Sequence, residues 1–168
     1  MDDSIINKST PIVRELIRAQ KRNSQVFRDR YEHTIRVLTW AKRIHSFEGG
    51  DLNVITLAVL FHDTGWSEEI NHAQVSAELA EKFLLENKAE AELVDRIISA
   101  VRTHNLREIP SLDLPIENQI VMDADLLDEL GVTTMVWDAM SVAQQPDPGY
   151  LKVLEKDRNF YSSAWKRQ

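Results

Sequence analysis

The sequence predicts an all-α fold, a bundle of seven to eight helices. Three observations carry that expectation. Apolar residues recur at three- and four-residue spacing along most of the chain. Strict alternation of apolar and polar residues, the mark of a half-buried strand, is scarce. The five glycines and five prolines fall at expected element ends rather than at hairpin spacing. At 168 residues one domain is expected, residues 1–168, with its motif-bearing core at about 30–132 and C-terminal helices from 132. A chain this long can bury roughly 70% of the surface its unfolded form exposes, enough for one core.

The elements follow in order. Thr10-Pro11 predicts an N-cap with proline at the first helical position, and Ile12, Val13, Leu16 and Ile17 then form one apolar stripe. Arg30 to Phe47 predicts a second helix facing the core with Ile35, Leu38, Ala41 and Ile44, and ending before Gly49-Gly50. Asp51 or Asn53 can cap a third, Val54 to His62, stopped by Gly65. It is apolar almost all round and belongs in the middle of the domain. Asn71 can cap a fourth helix carrying Val75, Leu79, Phe83 and Leu84. Glu90 to Thr103 makes a fifth, with Leu93, Val94, Ile97, Ile98 and Val101. Asn105 to Pro115, holding two prolines, reads as loop. Ile116 to Leu130 is a sixth helix closed by Gly131, and Val132 to Ala143 a seventh. Gln145 to Gly149 breaks the chain before a last helix from Tyr150.

Composition narrows the function. The formal charge of −7 argues against a nucleic-acid duplex or an anionic membrane as partner. The absence of cysteine excludes disulfides, thiolate nucleophiles and cysteine-based metal sites. The first residues are acidic and polar, unlike a secretory signal. The longest apolar run, Val54 to Phe61, is too short to span a bilayer. A cytoplasmic protein is expected.

Four residues stand out: His33, the adjacent pair His62-Asp63, and Asp125. Imidazole nitrogens and carboxylate oxygens together suit manganese, iron, cobalt, nickel or zinc better than calcium, with magnesium possible. His62 and Asp63 end a buried helix, where unpartnered polar groups cost a few kcal/mol and a metal would partner both. His33 and Arg36, three apart on one helix, share a face, as do Asp125 and Asp128. One face would turn an imidazole toward a metal and a guanidinium toward an anion.

Five segments keep one order along the chain: His33-Thr34-Ile35-Arg36-Val37-Leu38; Leu57 through His62-Asp63-Thr64-Gly65; His72 through Ala80; Ile97 through His104; and Ala124-Asp125 through Gly131. Together they resemble the HD superfamily of metal-dependent phosphohydrolases. The resemblance implies an all-α fold with a metal site between the central helices, held by His33, His62, Asp63 and Asp125. It leaves two roles for His72 and His104. They bind the substrate phosphate over one ion, the reading favoured here, or they complete a second metal site bridged by Asp63. Asp63, His72 and His104 are the expected catalytic residues. Many relatives carry lysine after the His-Asp-x-Gly run; this chain has Trp66. Anion recognition then falls to Arg36, Arg102 or Arg107, with Trp66 covering the site mouth or stacking on a ring. His45 matches no segment and is expected on the surface. The implied reaction is hydrolysis of a phosphate ester or anhydride of a small, nucleotide-like molecule by a metal-activated water. Two alternatives stand beside it: a diiron oxygenase using the same six ligands, and a non-catalytic helical sensor. Apolar patches on the last two helices could make a homodimer.

Overall fold

The protein's structure, a computed structural model, describes residues 3–20, 29–106 and 113–164. Among these residues there are eight helices and no strand. α3 (Leu52–Phe61) runs through the centre, and Val54 to Phe61 are all buried. α1 (Asp3–Arg18), α2 (Arg30–Glu48), α4 (His72–Glu86), α5 (Ala91–Thr103) and α6 (Ile116–Asp128) pack around it. Asp51 is its N-cap, accepting from the Asn53 and Val54 amides at 2.9 and 3.4 Å. Eight consecutive buried residues explain why this stretch shows no polar face.

α1 departs from expectation. Pro11 lies inside the helix, not at its start. The stripe that is buried is Ile5, Ser9, Val13 and Ile17, at every fourth residue, while Ile12 is exposed. Three buried aliphatic side chains contribute about 1.5–3 kcal/mol each. Together they outweigh the ~3 kcal/mol cost of an interior proline. The Ser9 hydroxyl donates to the Ile6 carbonyl at 2.8 Å, so it is not an unsatisfied group in the stripe.

α2 is rotated relative to the predicted face. Asp29 caps it, accepting from Tyr31 N at 2.8 Å. Its buried residues are His33, Thr34, Val37 and Ala41, while Ile35 is exposed and Leu38 and Ile44 are half-buried. Turning His33 inward sets the seam at positions 33, 37 and 41, which leaves Ile35 on the far side. α4 likewise buries small residues, Ala73, Ser76, Ala77 and Ala80, with Phe83 and Leu84; Val75 and Leu79 are half-buried. α5 buries all five predicted core residues. Gly131, at φ +85°, turns the chain from α6 into α7 (Val132–Ala143). α7 and α8 (Tyr150–Ala164) pack chiefly on each other, leaving Val132, Tyr150 and Leu151 exposed. Among the described residues no helix is long and apolar enough to cross a membrane.

Candidate metal centre

Five helix ends meet at one place. His33 is the fourth residue of α2, and His62-Asp63 follow α3 directly. His72 opens α4, His104 follows α5, and Asp125 stands in the last turn of α6. All are buried except His72, which is partly open. His33 Nε2 lies 3.1 Å from Asp125 Oδ1 and 3.3 Å from His62 Nε2. His62 Nε2 is 3.6 Å from the same carboxylate oxygen. His72 Nε2 lies 3.5 Å from Asp63 Oδ1 and 3.1 Å from His104 Nε2. Two groups of donor atoms therefore form, His33–His62–Asp63 and Asp63–His72–His104, each within 4.8 Å. Asp63 belongs to both.

The backbone fixes which nitrogen each ring presents. His62 Nδ1 donates to the Val59 carbonyl at 2.6 Å, and His104 Nδ1 to the Val101 carbonyl at 2.7 Å. Helix ends leave such carbonyls without ladder partners. With its proton committed at Nδ1, each ring turns an Nε2 lone pair inward. His33 reaches the same state through a carboxylate: its Nδ1 is 2.7 Å from Asp128 Oδ2. Arg36 grips Asp128 in turn with two bonds, Nε to Oδ1 at 2.8 Å and Nη2 to Oδ2 at 3.0 Å.

Asp63 is held from the other side. Arg30 donates to its Oδ2, and the Gln20 amide donates to its backbone carbonyl at 2.7 Å. Gly65, expected as a helix stop, has a different task. A Cβ there would lie 2.4 Å from the Ser76 amide nitrogen and 2.7 Å from Val75 Cβ. The turn after Asp63 thus packs directly on the start of α4, and Gly65 N donates to Ser76 Oγ at 2.8 Å. That contact sets His72 beside Asp63.

The charges show what the site would accept. Burial works against a charged His33, but hydrogen bonds to Asp125 and Asp128 more than offset it and raise its pKa to about 10. Burial likewise opposes ionisation of Asp125, yet bonds to His33 and His62 hold it well below the usual carboxylate range. Asp128 is lowered in the same way by His33 and Arg36, against its own burial. Burial, with His62 adding to it, pushes His104 down to about 4, so this ring is neutral. The acids therefore keep a proton on His33, on the very lone pair a metal would use. A divalent ion replacing it would be met by imidazole nitrogens and carboxylate oxygens, a donor set that fits a transition metal.

The tetrad predicted from sequence, His33, His62, Asp63 and Asp125, converges here, with His72 and His104 alongside. Arg36 meets an anion of the protein itself, the Asp128 carboxylate, and its half-buried side chain also lines a cavity between α2 and α7. Arg102 is exposed and lines a cavity of about 390 Å³ with Asn71, Ala73 and Gln74, next to His72. Trp66 is 41% exposed just past Gly65. Arg107 lies outside the described residues. His45 is half-buried, its Nε2 donating to the Gly50 carbonyl at 3.2 Å, rather than on the open surface. Sequence reasoning missed Asp128, Arg30 and Gln20 as supports. Two had a signal: Asp128 is one turn past Asp125, and Arg30 one turn before His33.

Comparisons with known proteins agree with this geometry. A family model described as HD domain matches residues 30–130. A solved structure from Listeria innocua is similar at 25% identity and TM-score 0.64, over 95% of this chain and 76% of that one. An HD-superfamily hydrolase from Bacillus thuringiensis is similar in fold at 20% identity and TM-score 0.69, over 99% of this chain and 89% of that one. A predicted HD superfamily hydrolase from an uncultured Thermotogales bacterium is similar in fold at 24% identity and TM-score 0.63, over 96% and 89%. Among curated proteins none matches.

Proposed function

The chain belongs to the HD domain family, and on that premise we propose that it is a metal-dependent phosphohydrolase. Its substrate on this reading is a phosphate ester or anhydride of a small, nucleotide-like molecule in the cytoplasm. The observation that carries the proposal is the place of Asp63 in both donor groups. A carboxylate within reach of both groups would suit a place between two cations, one held by His33, His62 and Asp125, the other by His72 and His104. This sharing favours a second ion over a purely phosphate-binding role for the two histidines.

A bound divalent transition metal supplies Lewis acidity toward a phosphoryl oxygen and lowers the pKa of a coordinated water. The protein's own groups do the rest. Asp63 orients the attacking water and takes its proton. His62 and His104 are held in one tautomer by Val59 and Val101, so no ring must reorient during reaction. Arg30, beside Asp63 and partly open, is the nearest guanidinium for a non-bridging oxygen. Arg36 keeps Asp128, and through it His33, in place.

The test uses protein purified without chelator. It should carry a divalent transition metal and release phosphate or pyrophosphate from a nucleotide and phosphoester panel. Asp63→Ala should lose about 10²–10⁴-fold in rate, the usual loss for a general acid–base group. Undiminished activity in that variant would sink the assignment. The shared carboxylate also favours a second reading, since six nitrogen and oxygen donors equally suit two irons. Iron in both positions together with oxygen uptake would assign an oxygenase instead.

A further inference from the structure

Two arginines on α2 pair with carboxylates of the metal centre, and they do so differently. Arg36 takes Asp128 through two nitrogens, Nε to Oδ1 and Nη2 to Oδ2. Asp128 reaches the centre through the far nitrogen of His33, its Oδ2 2.7 Å from Nδ1. A whole imidazole therefore stands between that arginine and the donor atoms. Arg30 meets a donor residue directly. Its Nη1 donates to Oδ2 of Asp63, the carboxylate common to both donor groups. The other oxygen, Oδ1, lies 3.5 Å from His72 Nε2.

The two partners differ in freedom. The Asp63 side chain is 6% exposed and that of Arg30 24%. The Asp63 backbone is tied by the Gln20 amide, which donates to its carbonyl at 2.7 Å. The Arg30 backbone is tied as well, its carbonyl accepting from Thr34 Oγ1 at 3.0 Å. What is left to move is the long, partly open arginine side chain. Its place is that of a cation where a cation is due. It neutralises Asp63, as a metal would, and it repels a metal that shares the carboxylate. A unit charge about 5 Å from a divalent ion, in water-like surroundings, changes its affinity about tenfold. Turning outward relieves that repulsion, and a guanidinium turned from one carboxylate keeps its forked donors for another anion. A phosphate arriving at the centre supplies that anion.

We propose that Arg30 is an exchangeable partner of Asp63: it yields the carboxylate to a divalent ion and then binds the substrate's phosphate, so that anion binding is conditional on the metal. The inference rests on the hydrolase reading and deepens it by naming how the metal and the anion of that site are coupled. Arg36, held by two bonds behind the His33 ring, stays on Asp128 throughout. By linkage, metal and phosphate strengthen each other by one and the same factor.

The test measures cobalt affinity of the full chain by competition with a chromophoric chelator, with and without inorganic phosphate. Arg30→Gln keeps a donor for Asp63 and loses the charge; Arg30→Met loses both. With Arg30 competing for Asp63, both variants should bind cobalt about tenfold more tightly than the unaltered protein when phosphate is absent. An arginine that merely braced the carboxylate would give the opposite pattern. Arg30→Gln would then bind cobalt as before, and Arg30→Met about 10- to 100-fold more weakly, as when a ligand loses its supporting partner. Phosphate should tighten cobalt binding by the unaltered protein about tenfold more than it does in either variant. Unchanged or weaker cobalt binding in Arg30→Gln, or a phosphate effect equal in all three proteins, would overturn the proposal, whatever the activity. If cobalt and phosphate bind as expected but no phosphate ester or anhydride is cleaved, the hydrolase reading fails and the assignment of Arg30 stands. Urea denaturation checks that each variant is folded, and either one alone carries the test.

Discussion

Asp128→Asn separates a ligand's support from the ligand itself. Asp128 lies outside the proposed ligand set, yet its carboxylate, 6% exposed, accepts from three donors. His33 Nδ1 and Arg36 Nη2 share Oδ2 at 2.7 and 3.0 Å, and Arg36 Nε takes Oδ1 at 2.8 Å. Asparagine has the same shape but only one accepting oxygen. If that oxygen faces Arg36 Nε, the amide group stands against both His33 and Nη2. If it flips, Nε is the donor left facing a donor. Stranding the buried His33 donor costs about 1–3 kcal/mol, so the flip that strands the half-exposed Arg36 instead is the cheaper one and sets a lower bound on the loss. His33 also loses the charge that makes it a strong ligand. Loss of such a supporting partner weakens metal binding about 10- to 100-fold, which is the same energy range. The assay is competition with a chromophoric chelator for cobalt or zinc at fixed pH. Glu81→Gln, at an exposed position of α4, serves as the control and should bind as the unaltered protein does. If a folded Asp128→Asn protein bound metal within about threefold of the unaltered one, the account of a relayed support would be wrong.

Gly65→Ala should lower the urea midpoint by the equivalent of about 1–3 kcal/mol, because the backbone of Ser76 cannot move aside for a Cβ at 2.4 Å; an unchanged midpoint would refute the close-packing argument. Metal-free protein should be most stable near pH 6.5. Above it His33, raised from 6.5 to about 10, gives up its contribution as pH rises through the upper value. Below it His104, lowered to about 4, favours the unfolded chain as acid is added, and Asp125 and Asp128 lose theirs below about 3.8. Chemical denaturation across pH reads this directly, and a flat profile would contradict it. Metal affinity should climb with pH through the same range, since the His33 proton must leave; calorimetry in two buffers would count that proton. Stripping the metal should lower the melting temperature, and adding it back at 100 times Kd should restore about 2.7 kcal/mol.

The sequence was most legible where one physical requirement dominated. The all-round apolar run of α3 reads as a central helix, and Asn71 caps α4 as expected, its Oδ1 accepting the Ala73 amide and the Asn105 side chain as well. The converging histidines and aspartates were legible because five segments keep one order along the chain; the His62-Asp63 pair alone would have been a weak signal. The failures came where two requirements competed. Pro11 signals a helix start locally, but the stripe from Ile5 to Ile17 overrides it. The α2 face was assigned by hydrophobicity, whereas the structure turns it to bury His33. The Asp128 partner of Arg36 was missed because no spacing rule on α2 reveals a carboxylate 92 residues away.

The five helix ends that meet at the centre differ in polarity. α3, α5 and α6 arrive with their C-terminal ends, and α2 and α4 with their N-terminal ends. Each end carries the equivalent of about half an elementary charge, negative at C-termini and positive at N-termini. The backbone alone therefore draws a positive guest toward His62, His104 and Asp125 and a negative one toward the first turns of α2 and α4. A cation and an anion bound side by side would each find the field already pointing the right way. Substituting side chains leaves this field standing, so variants stripped of ligands should still prefer ion pairs over single anions.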